Sequence, residues 1–275
     1  MPAHPYSTPP EIKDDIVVLS YPLPHVLHVA MNRPKALNAM NAELNQALNA
    51  TFDWFESEPE LRVCILGSTN RKAWCAGADL VAWQEKGKST GDILKAGFGG
   101  IAERFTKKPI IGAINGYALG GGSEMTVNLD LVVAGETATF GFPEVKRGVS
   151  VLAGGVPRFV RLVGHARAME CVLTGRNIPA REALGMGMIN AVVPDDEVEK
   201  KALEIAGAIA ENSPDSVVSL MYGVRIASEV GSVSIAQKLF ADSPQVRALY
   251  NGKNIKEGLL AFKEKRKPRW EGSKL

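Results

Sequence analysis

The sequence AINGYALGGGSE, residues 113–124, joins a predicted buried strand to a predicted helix. Residues 108–114 are largely β-branched and apolar and follow the pattern of a short buried strand. Residues 123–129 can begin a helix. The three consecutive glycines between them allow the backbone to turn sharply and bring peptide N–H groups close to a ligand. The stretch therefore predicts a tight turn around which the rest of the chain is organised.

Glu124 places a carboxylate beside the predicted start of this helix. Free N–H groups and the helix dipole at such a start attract developing negative charge. An anion-stabilising amide next to a carboxylate base suits enolate chemistry on a carbonyl compound. Glycine-rich strand–helix turns also serve packing alone, so this stretch by itself leaves both interpretations open.

The composition is typical of a soluble globular protein. Of its 275 residues, 45% are apolar and 23% are charged, and the net charge is +2. This balance argues against nucleic-acid binding, and no apolar run is long enough to cross a membrane. The cysteines and histidines show no ligand spacing, which predicts neither a disulfide framework nor a metal site.

The first two thirds of the chain repeat the order strand, strand, helix. Strands are predicted over 15–20, 25–31, 62–67, 129–134 and 138–140, and helices over 79–86, 91–106 and after an N-cap at Asn41. Residues 72–80 form a second strand–loop–helix turn.

From residue 154 onward the pattern is helical. Helices are predicted over 198–210, after an N-cap at Ser213, and over 232–250 and 253–266. We place the boundary just before the helix predicted over 198–210, so that residues 1–196 form a catalytic core and residues 197–275 form a helical C-terminal region.

The last three residues, Ser273-Lys274-Leu275, match the tripeptide that directs import into peroxisomes. The sequence therefore predicts a peroxisomal protein that binds the import receptor, with a chance match as the alternative.

Five segments in order resemble the crotonase (enoyl-CoA hydratase/isomerase) family: residues 31–38, 74–80, 115–124, 142–146 and 173–175, continued by 261–267. Each motif is weak alone, but together they span nearly the whole chain. The resemblance implies an α/β fold, a spiral of ββα units with a C-terminal helical region that builds trimers, often paired into hexamers.

The resemblance also implies catalytic roles. Ala78 and Gly121 match two backbone amides that hold the thioester oxygen and stabilise its enolate. Glu124 would activate water and Glu144 would protonate Cα, with the coenzyme A (CoA) thioester as substrate and no separate cofactor. For Glu144 alone, a surface glutamate capping a turn is the plain alternative.

Further positions match substrate contacts of the family. Lys35, Ala36 and Leu37 match the loop that cradles CoA. Phe262 and Lys265 match residues that reach its nucleotide end, often from a neighbouring subunit, and the plain alternative for Lys265 is a solvated charge in a basic tail. The remaining predicted substrate contacts are Ala76, Asp79, Leu80, Trp83 and Leu152.

One departure from the family concerns the acyl pocket. Where the family often has Pro-Gly-Ala-Gly-Gly, residues 151–155 read Val-Leu-Ala-Gly-Gly, and Trp83 is a second bulky residue near the expected pocket. The retained pair Glu124 and Glu144 favours a hydratase for short or medium enoyl-CoA. The alternatives are an enoyl-CoA isomerase, a hydratase or dehydratase for a branched hydroxyacyl-CoA in secondary metabolism, and a non-catalytic RNA-binding or scaffold protein of the same fold.

Overall fold

The computed structural model describes residues 6–80 and 97–273. Its strands are β1 Val17–Leu23, β2 Val26–Met31, β3 Val63–Ser68, β4 Ala73–Cys75, β5 Ile110–Ile114, β6 Tyr117–Leu119, β7 Leu131–Gly135, β8 Thr139–Gly141, β9 Asn177–Pro179 and β10 Ala191–Val193. Its helices are α1 Ala42–Ser57, α2 Gly121–Asn128, α3 Gly155–Val163, α4 His165–Thr174, α5 Ala180–Gly185, α6 Val198–Ala210, α7 Pro214–Glu229, α8 Val233–Ala241, α9 Pro244–Asn251 and α10 Lys253–Glu264. The helix predicted over 79–86 and the first part of that over 91–106 lie almost wholly outside the described residues.

The two strands of each ββ unit belong to two different sheets. The larger has the order β1-β2-β3-β5-β7-β10 and is parallel except for the β1–β2 pair. Every residue of β5 is buried, as expected for a parallel strand covered on both faces. From β3 to β8, successive strands alternate between this sheet and a smaller one, which confirms the predicted spiral of ββα units.

The smaller sheet has the order β4-β6-β8-β9. Its first three strands are parallel, with Cys75 opposite Ala118 and Ala118 opposite Phe140. Because parallel neighbours end at the same edge of a sheet, the loops after β4, β6 and β8 lie side by side. Those three loops carry Ala78, Gly121 and Glu144.

Helix α1 begins where the sequence predicts it. The Asn41 side chain caps it by accepting from the Leu44 N–H at 3.0 Å. Leu44, Leu48 and Phe52 are fully buried along one face. Full burial of each such side chain contributes roughly 1.5–3 kcal/mol, so this face anchors the helix on the main core.

The helical C-terminal region meets the larger sheet through α6. Its buried residues Val198, Ala202 and Ala206 pack with Val63 and Ile111 of that sheet. A separate group of large apolar residues in α7, α8 and α10 is exposed: Leu220, Val224, Val233, Ile235, Leu239, Leu259 and Phe262. No described helix combines the length and apolar character that a membrane crossing requires.

Three sequence predictions about elements need correction. Residues 97–106 do not continue a helix, because Gly97, Gly99 and Gly100 adopt positive φ and form only a short 3-10 turn. The helix predicted over 232–250 is divided into α8 and α9, since Ser243 caps a new helix that starts at Pro244.

The third correction concerns Ser213. Helix α7 begins directly after it, as predicted, but the Ser213 hydroxyl makes no capping hydrogen bond. Its oxygen is buried with no partner among the described residues. Pro214 at the first helical position fixes this helix start instead, because its φ is already helical.

Candidate active site

A cavity of about 320 Å³ lies between the loops that follow β4, β6 and β8. The described residues that line it are Ala76, Gly77, Ala78, Leu80, Phe98, Gly120, Gly121, Glu124, Pro143, Glu144, Arg147, Val149, Ser150, Leu152 and Ala153. The predicted catalytic positions therefore converge on one space, although they come from three separate loops.

Close packing explains the glycines of the central turn. Gly120 has φ +56°, a region that favours glycine, and it reverses the chain between β6 and α2. A Cβ on Gly121 would lie 2.2 Å from the Phe98 ring, and one on Gly122 would lie 2.3 Å from the Cys75 carbonyl oxygen. These contacts leave room for a backbone alone.

Two N–H groups at the predicted oxyanion positions border the cavity and have no hydrogen-bond partner among the described residues, and the first is that of Gly121. It is the first residue of α2, where an N–H has no intrahelical acceptor. The second is Ala78, whose neighbours are held to Met40 by hydrogen bonds of 2.7 and 3.0 Å. The turns are adjacent, since a Cβ on Gly77 would lie 3.5 Å from the Gly121 nitrogen. Two such donors can stabilise the oxyanion of an enolate.

Glu124 is buried in the first turn of α2 and has one oxygen fixed by backbone donors. Its Oε1 accepts from the N–H of Ala153 at 2.7 Å and of Gly155 at 3.1 Å. Burial raises the pKa of Glu124 to about 7, against the lowering effect of these two bonds. A carboxyl with such a pKa can exchange a proton with water near neutral pH.

Glu144 lies on the 3-10 turn Pro143–Arg147 that follows β8. Its carboxylate faces the cavity, and the buried Oε2 atom has no partner among the described residues. Burial raises the pKa of Glu144 above its ordinary value. The carboxyl is therefore placed to carry and donate a proton.

Ser123 holds the glycine turn in place, and the sequence interpretation did not identify it. Its buried hydroxyl donates to the Ala118 carbonyl at 2.6 Å and accepts from the Gly141 N–H at 2.8 Å. One side chain thus joins α2 to both β6 and β8. A serine beside three glycines gives no sequence signal for this role.

The predicted CoA loop lies next to the cavity and is not part of its lining. Lys35 and Leu37 are exposed, and the Leu37 carbonyl accepts from the Ala76 N–H at 3.1 Å. Asp79 is also outside the lining and forms an ion pair with Arg33 at 3.2 Å. Ala36 is half-buried within the same 3-10 turn, Pro34–Ala36.

The other predicted contacts have different outcomes. Ala76, Leu80 and Leu152 line the cavity, and Leu152 is 50% exposed. Phe262 and Lys265 lie at the end of α10 and do not line this chain's cavity. Trp83 lies outside the described residues. The lining adds positions that were not predicted, of which Phe98, Arg147 and Ser150 carry large or polar side chains.

No cluster suited to a metal ion occurs in residues 6–80 and 97–273, as judged from their His, Cys, Asp and Glu side chains. The three cysteines are buried and free.

The family model of enoyl-CoA hydratase/isomerase matches residues 24–273. The chain belongs to this family. It is 42% identical over 260 residues to a mevalonyl-coenzyme A hydratase of Aspergillus fumigatus, covering 94% of this chain and 96% of that protein. It is 37% identical to a carnitinyl-CoA dehydratase of Proteus mirabilis, covering 90% and 95%.

Solved structures agree with this placement. The crystal structure of an enoyl-CoA hydratase from Mycobacterium tuberculosis superposes with a TM-score of 0.87 at 32% identity, covering 94% of this chain and all of that chain. As a member of the enoyl-CoA hydratase/isomerase family, the protein is an enzyme of the hydro-lyase type that acts on CoA thioesters.

Proposed function

We propose that the protein adds water reversibly across the conjugated double bond of a short or medium enoyl-CoA thioester. One observation carries the proposal: two half-buried or buried carboxyl groups and two unpartnered amides border the same cavity. In the hydration direction, Glu124 takes a proton from a water molecule as the oxygen of that water bonds to Cβ. Electrons move onto the thioester oxygen, which the Ala78 and Gly121 amides stabilise. Glu144 then delivers a proton to Cα.

The paired carboxyls favour hydration over double-bond isomerisation. Hydration needs one group to deprotonate water and a second to protonate carbon, whereas isomerisation can shuttle one proton through one group. Glu124 is ready to act as the base because its fixed Oε1 leaves the second oxygen for a water. Glu144 supplies the second group from another loop.

A branched hydroxyacyl-CoA is the second candidate substrate, and the comparisons favour it. The fungal relative at 42% identity is named for mevalonyl-CoA, whose acyl group carries a methyl branch at Cβ. Leu152 lines the cavity at a position where the family often has a glycine, and we expect its larger side chain to change the shape of the acyl pocket. The reaction would be the same, run as hydration or dehydration.

The test is an assay of the purified protein with straight-chain and 3-methyl-branched enoyl-CoA thioesters. Hydration is followed by the loss of absorbance of the conjugated enoyl thioester. Glu124→Gln and Glu144→Gln should each lower kcat at least about a hundredfold, the scale of losing a general base or acid. Glu197→Gln, which alters a half-exposed ion-pair residue outside the cavity lining, is the matched control. Near-normal hydration by either cavity variant would remove that residue from the mechanism.

We also propose that the protein assembles through its exposed helical region. Phe262 is 86% exposed and lies outside the cavity of its own chain. The resemblance matches Phe262 to a residue that reaches CoA, often from a neighbouring subunit, which fits the predicted trimer or hexamer. Light scattering on the intact protein and on Phe262→Ser would measure the assembly size; a monomeric wild type contradicts this part of the proposal.

Peroxisomal import is proposed from the sequence of residues 273–275 alone. Ser273 hydrogen-bonds Asp215 at 2.7 Å, while residues 274–275 lie outside the described part of the chain. A fluorescent fusion to the amino terminus should enter peroxisomes, and deletion of Leu275 should leave it outside. Equal distribution of the two fusions would end this proposal.

A further inference from the structure

Arg147 brings a positive charge to the wall of the cavity. It lies three residues after Glu144 on the same 3-10 turn. Its only described hydrogen bond is from Nη1 to the Lys146 carbonyl at 3.3 Å, and no described carboxylate pairs with it. By contrast, Arg33 on the neighbouring loop is paired with Asp79.

The geometry of the turn places Arg147 on the same side as the carboxyl of Glu144. In a 3-10 helix, side chains three residues apart eclipse one another and their Cα atoms are about 6 Å apart along the axis. Both residues line the cavity, as this relationship predicts. If Glu144 serves Cα of the acyl group, Arg147 borders the same cavity from a backbone position about 6 Å further along the turn.

Arg147 is exposed to solvent, and the side chains that line the cavity beside it are mostly apolar. Val149, Leu152 and Leu80 line the same space, and Ser150 adds one hydroxyl. An arginine presents up to five N–H donors, keeps its charge at any physiological pH and has no acceptor of its own. A wall with these donors, a hydroxyl and apolar neighbours suits an acyl chain that ends in an oxygen atom.

We propose that Arg147, assisted by Ser150, binds an oxygen-bearing group at the distal end of the acyl chain. The substrate class is then enoyl- or hydroxyacyl-CoA with a further hydroxyl or carboxylate beyond the reacting carbons. This specificity rests on the proposed function, because it assumes that the acyl group occupies the cavity. A quaternary ammonium at the same place would be repelled by the guanidinium, so a carnitinyl group is disfavoured.

Binding of saturated acyl-CoA tests the subsite without relying on the chemistry. The ligands are pentanoyl-CoA, 5-hydroxypentanoyl-CoA and glutaryl-CoA, measured by calorimetry with the full-length protein. The wild type should bind at least one oxygenated ligand about tenfold more tightly than pentanoyl-CoA, the scale of a hydrogen bond to a charged group. Arg147→Met should abolish this difference and leave pentanoyl-CoA affinity within about twofold. The hydroxyl and carboxylate ligands show which oxygen is preferred.

Lys146→Met is the matched control, since it removes a neighbouring exposed cation that does not line the cavity. It should leave all three affinities unchanged. Equal weakening of all three ligands by Arg147→Met would assign the guanidinium to CoA itself and overturn the proposal. Equal wild-type affinity for all three would also overturn it. Failure of the proposed function would appear separately, as a lack of hydration with every enoyl-CoA tested.

Discussion

The Oε1 atom of Glu124 lies 2.7 Å from the backbone nitrogen of Ala153. This bond links the first turn of α2 to the loop that follows the Glu144 turn. The Gly155 N–H donates a second hydrogen bond to the same oxygen at 3.1 Å. The carboxylate is thereby oriented by backbone groups, which cannot change rotamer. The same loop carries Leu152, so the position of the base and the shape of the acyl cavity depend on one segment.

The raised pKa of Glu124 predicts a pH-dependent cost to stability. Because folding raises the pKa from 4.5 to about 7, the folded protein binds this proton more tightly than the unfolded chain does. The stabilisation is present below pH 4.5 and is lost as the pH rises through 7. The free energy of unfolding of Glu124→Gln, relative to that of the wild type, should therefore rise by about 2 to 3 kcal/mol from pH 5 to pH 8.

Urea unfolding at fixed protein concentration measures this difference at the two pH values. Glu197→Gln should show no comparable change, because that carboxylate is on the surface. A free-energy difference between Glu124→Gln and wild type that is constant with pH would contradict the assigned effect of burial.

Gly121→Ala should destabilise the protein and reduce activity through contact with Phe98. The added methyl would meet the ring at 2.2 Å, and such overpacking typically costs about 1–3 kcal/mol. The double variant Gly121→Ala/Phe98→Leu should recover part of the loss in thermal stability, which a double-mutant cycle would quantify. Gly185→Ala is the control, since nothing lies within 4 Å of its Cβ position.

Additive effects of Gly121→Ala and Phe98→Leu would show that the ring is not what excludes a side chain at residue 121. Circular dichroism on each variant separates a local loss of activity from general unfolding.

Asp79→Asn should weaken binding of every CoA thioester while leaving kcat largely unchanged. The half-buried Asp79 carboxylate holds Arg33, which also donates to the Ala39 carbonyl and so fixes the loop that contains Lys35. Releasing that loop should raise KM several-fold, because an ordered loop costs less entropy on binding. Asp53→Asn, which alters an exposed carboxylate beside Arg104, is the control for steady-state kinetics. A fall in kcat with KM unchanged would contradict this positional role.

Leu152→Ala should widen the acyl cavity and shift preference towards longer or more branched chains. Each additional methylene accommodated is worth roughly 1 kcal/mol, so kcat/KM for six-carbon over four-carbon enoyl-CoA should rise about tenfold or more. Because Leu152 is 50% exposed, the melting temperature of the Leu152→Ala variant should differ little from that of the wild type. Leu184→Ala removes a similarly exposed leucine outside the cavity lining and should leave the chain-length profile unchanged.

Local sequence patterns predicted the parts of the fold that local physics determines. Asn41 and the apolar spacing after it define α1, and three consecutive glycines define the turn before α2. The convergence of residues 78, 121, 124 and 144 came from the resemblance to a family, because residues so far apart in the chain share no local pattern.

Other features depend on contacts between distant segments and left no local signal. Phe98 fills the space over Gly121 from a turn that resembled a helix in sequence, and Ser123 joins α2 to two strands. Asp79, which the resemblance predicts as a substrate contact, forms an ion pair with Arg33 across the loop, and the sequence gives no sign of that pairing. The three-residue strands β6, β9 and β10 are too short for a period to be recognised.

The order of strands β4, β6 and β8 has a consequence for biosynthesis. Each contributes its part of the site in turn as the chain emerges from the ribosome, so Ala78 is made long before the groups it must face. Glu124 obtains its hydrogen bonds only after Gly155 has been added. Until then the two backbone donors that orient its carboxylate, and that oppose the rise of its pKa, are not both in place. The orientation of the base at residue 124 is thus acquired late, and a nascent chain that ends before residue 155 lacks it.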